Sequence, residues 1–198
     1  MPIRLTPEEY LLQERGALER HQYYRGEVVA IQGGSAIHSA ISANVIGELG
    51  NCLKGGAYRV FESNLRIGVP TASFFSYADV GVVSEKLEFD PRDVLGETLL
   101  NPALLVEVLS PLSEARDRGD KLQSYIQIES LREYVLVSSQ TASVETFFRR
   151  SDGTWVYAAT MPPTTAVTIR SLNVELQFAE IYAGVTFPPP VIDVPQER

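Results

Sequence analysis

The chain has little of what several functional classes require. Its single cysteine, Cys52, permits no internal disulfide and cannot by itself build a thiolate zinc site. Cys52 lies at helical spacing from Leu49 in the run VIGELGNCL, which predicts a core thiol. Two histidines, His21 and His38, are too few for a histidine-rich metal centre. No apolar run approaches the roughly 18–20 residues of a membrane helix. The opening MPIRLTPEEY lacks the apolar core of a signal peptide, so the expectation is a cytoplasmic chain with no membrane partner. Positive charge is scarce as well, with 17 Lys and Arg against 25 Asp and Glu, a net charge of −8. Nucleic-acid-binding domains usually carry a basic excess that displaces counterions from phosphates. This balance leaves weak binding, a local basic patch, a dimer groove, or no binding. No serine–histidine pairing supports triad chemistry, and Gly33-Gly34 lacks the Lys-Ser/Thr partner of a phosphate-cradling loop.

What is present suits an ordinary globular protein: 44% hydrophobic and 21% charged residues over 198 positions can bury a core in one domain. That domain is expected over 1–187, with 188–198 as a proline-rich, flexible tail. Thr6-Pro7-Glu8-Glu9 reads as a capping box opening a short helix to about Ala17. Gln22–Tyr24 and Glu27–Gln32 flank Arg25-Gly26 as a hairpin. Ile37, Ile41, Val45, Leu49 and Cys52 mark an amphipathic helix of about 17 residues, capped by Ser35 and stopped by Gly55-Gly56. Strands are predicted at Tyr58–Glu62, Asn64–Val69, Phe75–Ser84, Ala103–Leu109 and Glu133–Ser138. The fourth of these is nearly continuously apolar, as in a central strand covered on both faces. A helix over Ser113–Glu129 precedes the fifth. Thr141–Arg149 and Trp155–Thr160 should pair across Asp152-Gly153, followed by one or two strands in Val167–Phe178 and a helical turn at Ala179–Ala183. The order is α+β or mixed α/β, a mixed sheet flanked by helices, and not a regular βαβ alternation.

Two residues stand out. Asp79 lies in the stretch from Phe75 to Val83 and Glu107 in that from Leu104 to Leu109, each a lone carboxylate among apolar neighbours. Burying a bare carboxylate costs several kcal/mol unless it is paired or bound to a metal, so each needs a partner. Lys121 is a candidate: Asp117, Lys121 and Tyr125 share one helical face just after the Glu107 strand. Two carboxylates and a lysine suit phosphodiester hydrolysis. The acids offer the oxygen ligands that Mg²⁺ prefers. The cation acidifies water and neutralises charge on the phosphate, and the lysine positions water or stabilises that charge. A buried ion pair or triad without chemistry fits the same spacing, and both readings stand at this point.

Several fragments in order resemble one family. Thr6-Pro-Glu-Glu-Tyr10, Gly26-Glu27-Val-Val29 and Gly34-Ser-Ala-Ile-His38 look like the N-terminal pattern of the Uma2 family of endonucleases, also called domain of unknown function 820. Tyr77-Ala-Asp79-Val-Gly-Val-Val83 looks like its Pro-Asp-Val-x-Val-Val strand, and Leu105-Val-Glu107-Val-Leu-Ser110-Pro111 like its Val-Glu-Val-Leu-Ser-Pro strand. Asp117 through Lys121 to Tyr125, then Arg132-Glu133-Tyr134, complete the match, which runs from about Thr6 to Phe178. The resemblance implies a PD-(D/E)xK, restriction-endonuclease-like core, dependent on Mg²⁺ or Mn²⁺ and acting on nucleic acid, DNA in the first instance. It implies Asp79 and Glu107 as metal ligands and Lys121 as the catalytic lysine. Ala78 replaces the motif's proline, and Leu109 stands where its lysine would, so Lys121 reads as a migrated replacement. His38 and Glu27 match family positions and are expected at the site, His38 to orient a carboxylate, hold a metal-bound water or contact phosphate. A homodimer is expected on fold analogy alone. Glu48 reads as a solvated helix acid, Tyr125 as packing, Ser110–Ser113 as a turn and helix cap, and Phe147-Phe148-Arg149-Arg150 as a solvated hairpin end.

Overall fold

The computed structural model describes residues 4–84 and 86–189, so most of the predicted tail lies outside the described residues. Helix α1 (Pro7–Glu14) opens with the expected capping box: Glu9 N–H donates to Thr6 Oγ1 (3.2 Å) and Thr6 N–H to Glu9 Oε2 (2.7 Å). It stops short of Ala17 because the Glu14 carboxylate accepts from the His21 N–H (2.7 Å), which ties its last turn to the next strand. Strands β1 (His21–Tyr24) and β2 (Glu27–Ala30) form the hairpin. Arg25 (φ 49°) and Gly26 (φ 96°) both take positive φ there, the two-residue turn that matches strand twist.

Helix α2 (Ala36–Leu53) buries Ile41, Val45 and Leu49 as expected. Cys52 corrects the sequence reading: it is exposed. The helix packs through every fourth residue, and the next contact after Leu49 is Leu53, which turns Cys52 to solvent.

Strands β3 (Tyr58–Glu62), β4 (Arg66–Val69), β5 (Phe74–Tyr77) and β6 (Val80–Ser84) follow, then the short β7 (Thr98–Leu99) and β8 (Leu104–Leu109). The single strand expected over Phe75–Ser84 is two. Ala78 and Asp79 form a bend at which the chain leaves one sheet for another. A five-stranded sheet has the order β2-β1-β5-β4-β7. A six-stranded sheet contains β8, β6 and β3 at one side, and its remaining strands β9 (Glu133–Ser138), β10 (Val144–Arg149) and β11 (Trp155–Thr160) come later in the chain. Its order is β11-β10-β9-β8-β6-β3, and only the β8–β9 ladder in it is parallel.

The helix expected over Ser113–Glu129 is shorter and not uniform. It comprises α3 (Glu114–Arg116), a π-turn (Asp117–Lys121) and α4 (Leu122–Tyr125). Beyond Tyr125 the chain turns, and Arg149 donates its guanidinium to the carbonyls of Ile126, Ile128 and Glu129. Arg149 therefore seals a helix end and does not stand free at a hairpin tip. A hairpin of β12 (Ala166–Ile169) and β13 (Val174–Gln177) with α5 (Phe178–Ile181) completes the fold.

Side-chain alternation along β8 divides the interior. Leu104, Val106 and Val108 face a core shared with α2, the β12–β13 hairpin and α5. Leu105 and Leu109 face a second core built with Phe74, Tyr125 and Tyr134. All six β8 residues are buried, as their apolar run predicted. By the same alternation Glu107 points into the second core, toward the bend at Asp79 and the π-turn. No helix among the described residues is long and apolar enough to cross a membrane.

Candidate active site

Three elements converge at the bend. Asp79 Oδ2 accepts the backbone N–H of Val108 at 2.7 Å, which anchors the bend to β8 one residue past Glu107. The Lys121 ammonium lies 2.9 Å from Glu107 Oε2 and 3.1 Å from Asp117 Oδ1, and donates to the Tyr77 carbonyl at 3.2 Å. Lys121 therefore does reach the strand acid Glu107, while Asp79 is not among its partners at ion-pair distance. A π-turn adds a residue to one turn of helix, and rewinding it as α would rotate everything beyond by about 100°. Asp117 and Lys121 at the two ends of the turn, and Tyr125 beyond it, are all buried in this phase.

His38 reaches the same bend from α2. Ser35 Oγ accepts the His38 N–H (3.2 Å), which fixes the first helical turn, and His38 Nε2 meets Asp79 Oδ2 at 3.0 Å. The imidazole packs close against Gly34: a Cβ there would sit 2.5 Å from His38 Nδ1, so the close approach favours glycine.

Electrostatics differ among the members. Burial alone would raise the Asp79 pKa, but the His38 hydrogen bond and charge, with Lys121 and the Val108 N–H, outweigh it and leave Asp79 below the ordinary carboxylate range. Burial alone would lower His38, and the hydrogen bond and charge of Asp79, with Asp117, carry it above the usual imidazole value instead. Full burial lifts Glu107 well above its usual range, and Lys121 offsets that only in part. Lys121 is held protonated: burial opposes the charge, but Glu107 and Asp117 beside it raise its pKa above the ordinary lysine value.

The carboxylates retain free coordinating capacity. Among the described residues Glu107 Oε1 is buried without a hydrogen-bond partner, and the hydrogen bonds to Asp79 from His38 and Val108 both fall on Oδ2. Among the described residues no group of three or more His, Cys, Asp or Glu side chains is arranged to hold a metal. Two carboxylate oxygens are nonetheless a fitting set for Mg²⁺, which keeps several waters and takes one or two carboxylates with substrate phosphate oxygens.

Other sequence expectations fare differently. Glu27 is not brought to the cluster. It stands on β2, the outer strand of the five-stranded sheet, with a side chain 61% exposed and 3.7 Å from Arg4. Only β1 joins the sheet interior, so the hairpin's far strand faces solvent. Glu48 is half-buried on α2. Tyr125 packs edge-on against Phe74 and Tyr134, both with centroids at 5.6 Å, and its buried hydroxyl has no hydrogen-bond partner among the described residues. Ser110 and Ser113 make the expected turn through reciprocal backbone-to-hydroxyl bonds of 3.2 Å. Asp117 is the member to which sequence reasoning gave no role. Its signal was an acid on the otherwise buried Lys121–Tyr125 face. The Tyr77 carbonyl had none, because a main-chain acceptor is invisible in sequence.

The family profile described as "Putative restriction endonuclease", Uma2, matches residues 7–180. The chain belongs to the Uma2 family. The uncharacterized Synechocystis protein slr1290 is 34% identical over 185 residues, 93% of this chain and 94% of that one. A second Synechocystis protein, sll1609, is 31% identical over 157 residues, 79% of this chain and 88% of that one. A crystal structure from Anabaena variabilis, described as a putative nuclease belonging to DUF820, superposes with a TM-score of 0.71. It covers 89% of this chain and 97% of that one at 17% identity. That likeness shows that this Uma2 chain shares the fold of that protein, and its mixed sheets with few helices agree with the expected mixed α/β class.

Proposed function

We propose that this Uma2 chain is an endonuclease that hydrolyses phosphodiester bonds of DNA with Mg²⁺ or Mn²⁺. One observation carries the reading: among the described residues Glu107 Oε1 is buried with no partner, while Lys121 stands 2.9 Å from its other oxygen and the next residue's N–H, that of Val108, anchors Asp79. An orphaned carboxylate oxygen in a core is costly unless something occupies it.

Asp79 and Glu107 would hold the cation through Asp79 Oδ1 and Glu107 Oε1, the oxygens free of other bonds. Bound there, the cation supplies charge neutralisation and an acidified water. His38 fixes the rotamer of Asp79 through Oδ2 and keeps it ionised. Lys121, being protonated, is a donor and a positive charge, not a base, and its role is to stabilise negative charge developing on the phosphate. Glu27, exposed beside Arg4, has no part in this arrangement. A homodimer, by fold analogy, would present two such sites to one duplex.

A second reading, a nuclease fold retained as a binding or assembly module, draws on the net charge of −8 and on Lys121 already neutralising part of the cluster. Thermal stability under Mg²⁺ and Mn²⁺ titration, for wild type and Asp79→Ala, together with supercoiled-plasmid nicking, separates the two. Cation stabilisation and nicking in wild type only are expected. Neither effect in wild type would leave the module reading in place.

A further inference from the structure

Glu107 alone would suffice to neutralise Lys121, yet a second carboxylate is buried against the same ammonium. The Asp117 side chain is 2% exposed, and its Oδ1 has no hydrogen-bond partner although Lys121 Nζ lies 3.1 Å away. Burying another charge costs several kcal/mol in an ion pair already closed, so a structural role in holding the resting fold is a poor account of it. Its backbone is fixed independently of the sheet acids: Asp117 N–H donates to the Ser113 carbonyl (3.0 Å), and the Tyr134 hydroxyl donates to the Asp117 carbonyl (3.1 Å). Asp117 and Lys121 ride on one turn, whereas Glu107 comes from the strand opposite.

We propose that Asp117 is a positioning residue that keeps Lys121 in place when the Glu107 carboxylate is engaged elsewhere. The inference rests on the nuclease reading, in which Glu107 is drawn to a cation. With Glu107 so engaged, Asp117 and the Tyr77 carbonyl remain as the partners that hold the ammonium at the site. Without Asp117 the lysine would lose the one carboxylate neighbour that remains at ion-pair distance among the described residues.

Glu107→Gln imitates a Glu107 whose charge is taken up, so a thermal double-mutant cycle with Asp117→Asn tests the idea without cation or substrate. The double variant should lose about 4 °C or more beyond the sum of the single losses, whereas additive losses overturn the proposal. Should Glu107→Gln prevent folding, the cycle of Asp117→Asn with Lys121→Met replaces it: coupled losses support the pairing and additive losses overturn it. In plasmid nicking, Asp117→Asn should lower kcat by about tenfold or more, with KM for plasmid and half-saturating Mg²⁺ little changed. An unchanged kcat, or a change confined to KM, overturns the positioning role. If wild type nicks nothing, the nuclease reading falls, and the thermal cycle alone decides whether Asp117 holds Lys121.

Discussion

The Val108 N–H donates to Asp79 Oδ2 at 2.7 Å, on the oxygen that also meets His38 Nε2 at 3.0 Å. One carboxylate oxygen thus joins the bend, the central strand and the long helix. Asp79→Asn would weaken both contacts, and the His38 pKa should fall to or below its ordinary value, because Asp79 is the main group that raises it against the opposing effect of burial. Titration of the His38 ring by NMR checks this, and an unmoved pKa would show that Asp79 does not govern the imidazole.

Gly34→Ala is expected to displace His38. The added methyl would lie 2.5 Å from Nδ1, too close for the ring to keep its place. The cost is about 1–3 kcal/mol, and the His38 resonance should change as it does in Asp79→Asn. A variant with wild-type stability and spectrum would remove the steric argument.

A buried pair elsewhere sets acid sensitivity. Arg66 donates to Asp93 Oδ2 at 2.7 Å, and Thr98 donates to the same oxygen at 2.6 Å. Burial works against ionised Asp93, but these bonds prevail and hold its folded pKa below the ordinary value of 3.8. A depressed carboxylate stabilises fully above its unfolded pKa, and that stability is lost as pH falls through the folded pKa. Asp93→Asn should therefore cost about 3–5 kcal/mol near neutrality, with the gap to wild type narrowing below about pH 4. Denaturant melts across pH measure the gap, and a constant difference would exclude linkage through Asp93.

Leu49 and Cys52 make a paired comparison on α2. Leu49→Ala should cost about 2–5 kcal/mol for its cavity. Cys52→Ala should stay within about 0.5 kcal/mol, as exposed substitutions do. Cys52 should also react with a thiol reagent in the native protein, and a protected thiol would place it in the core after all.

Gly119 lies in the π-turn without positive φ, and a Cβ there would meet nothing within 4 Å. Gly119→Ala is expected to stabilise by about 0.4–1 kcal/mol by restricting the unfolded chain. A loss of stability would mean that the turn needs glycine for a reason other than space.

The sequence by itself determined the pieces with local causes. Thr6 and Glu9 close their own capping box, Arg25-Gly26 makes its own turn, and the apolar run of β8 declares a strand covered on both faces. Asp79 and Glu107 were legible for a local reason too: a charge among apolar neighbours demands a partner, and the demand is visible in one dimension. Tertiary structure decided what depends on partners distant in the chain. It broke the Phe75–Ser84 stretch at Asp79, because β5 and β6 pair in different sheets, a choice that no local propensity encodes. It left Glu27 at a sheet edge and turned Cys52 to solvent, since the phase of a packed stripe is set by the surface beneath it. It also brought Asp117 and the Tyr77 carbonyl to Lys121, through a π-turn that hydrogen bonding across the fold stabilises and side-chain periodicity does not announce.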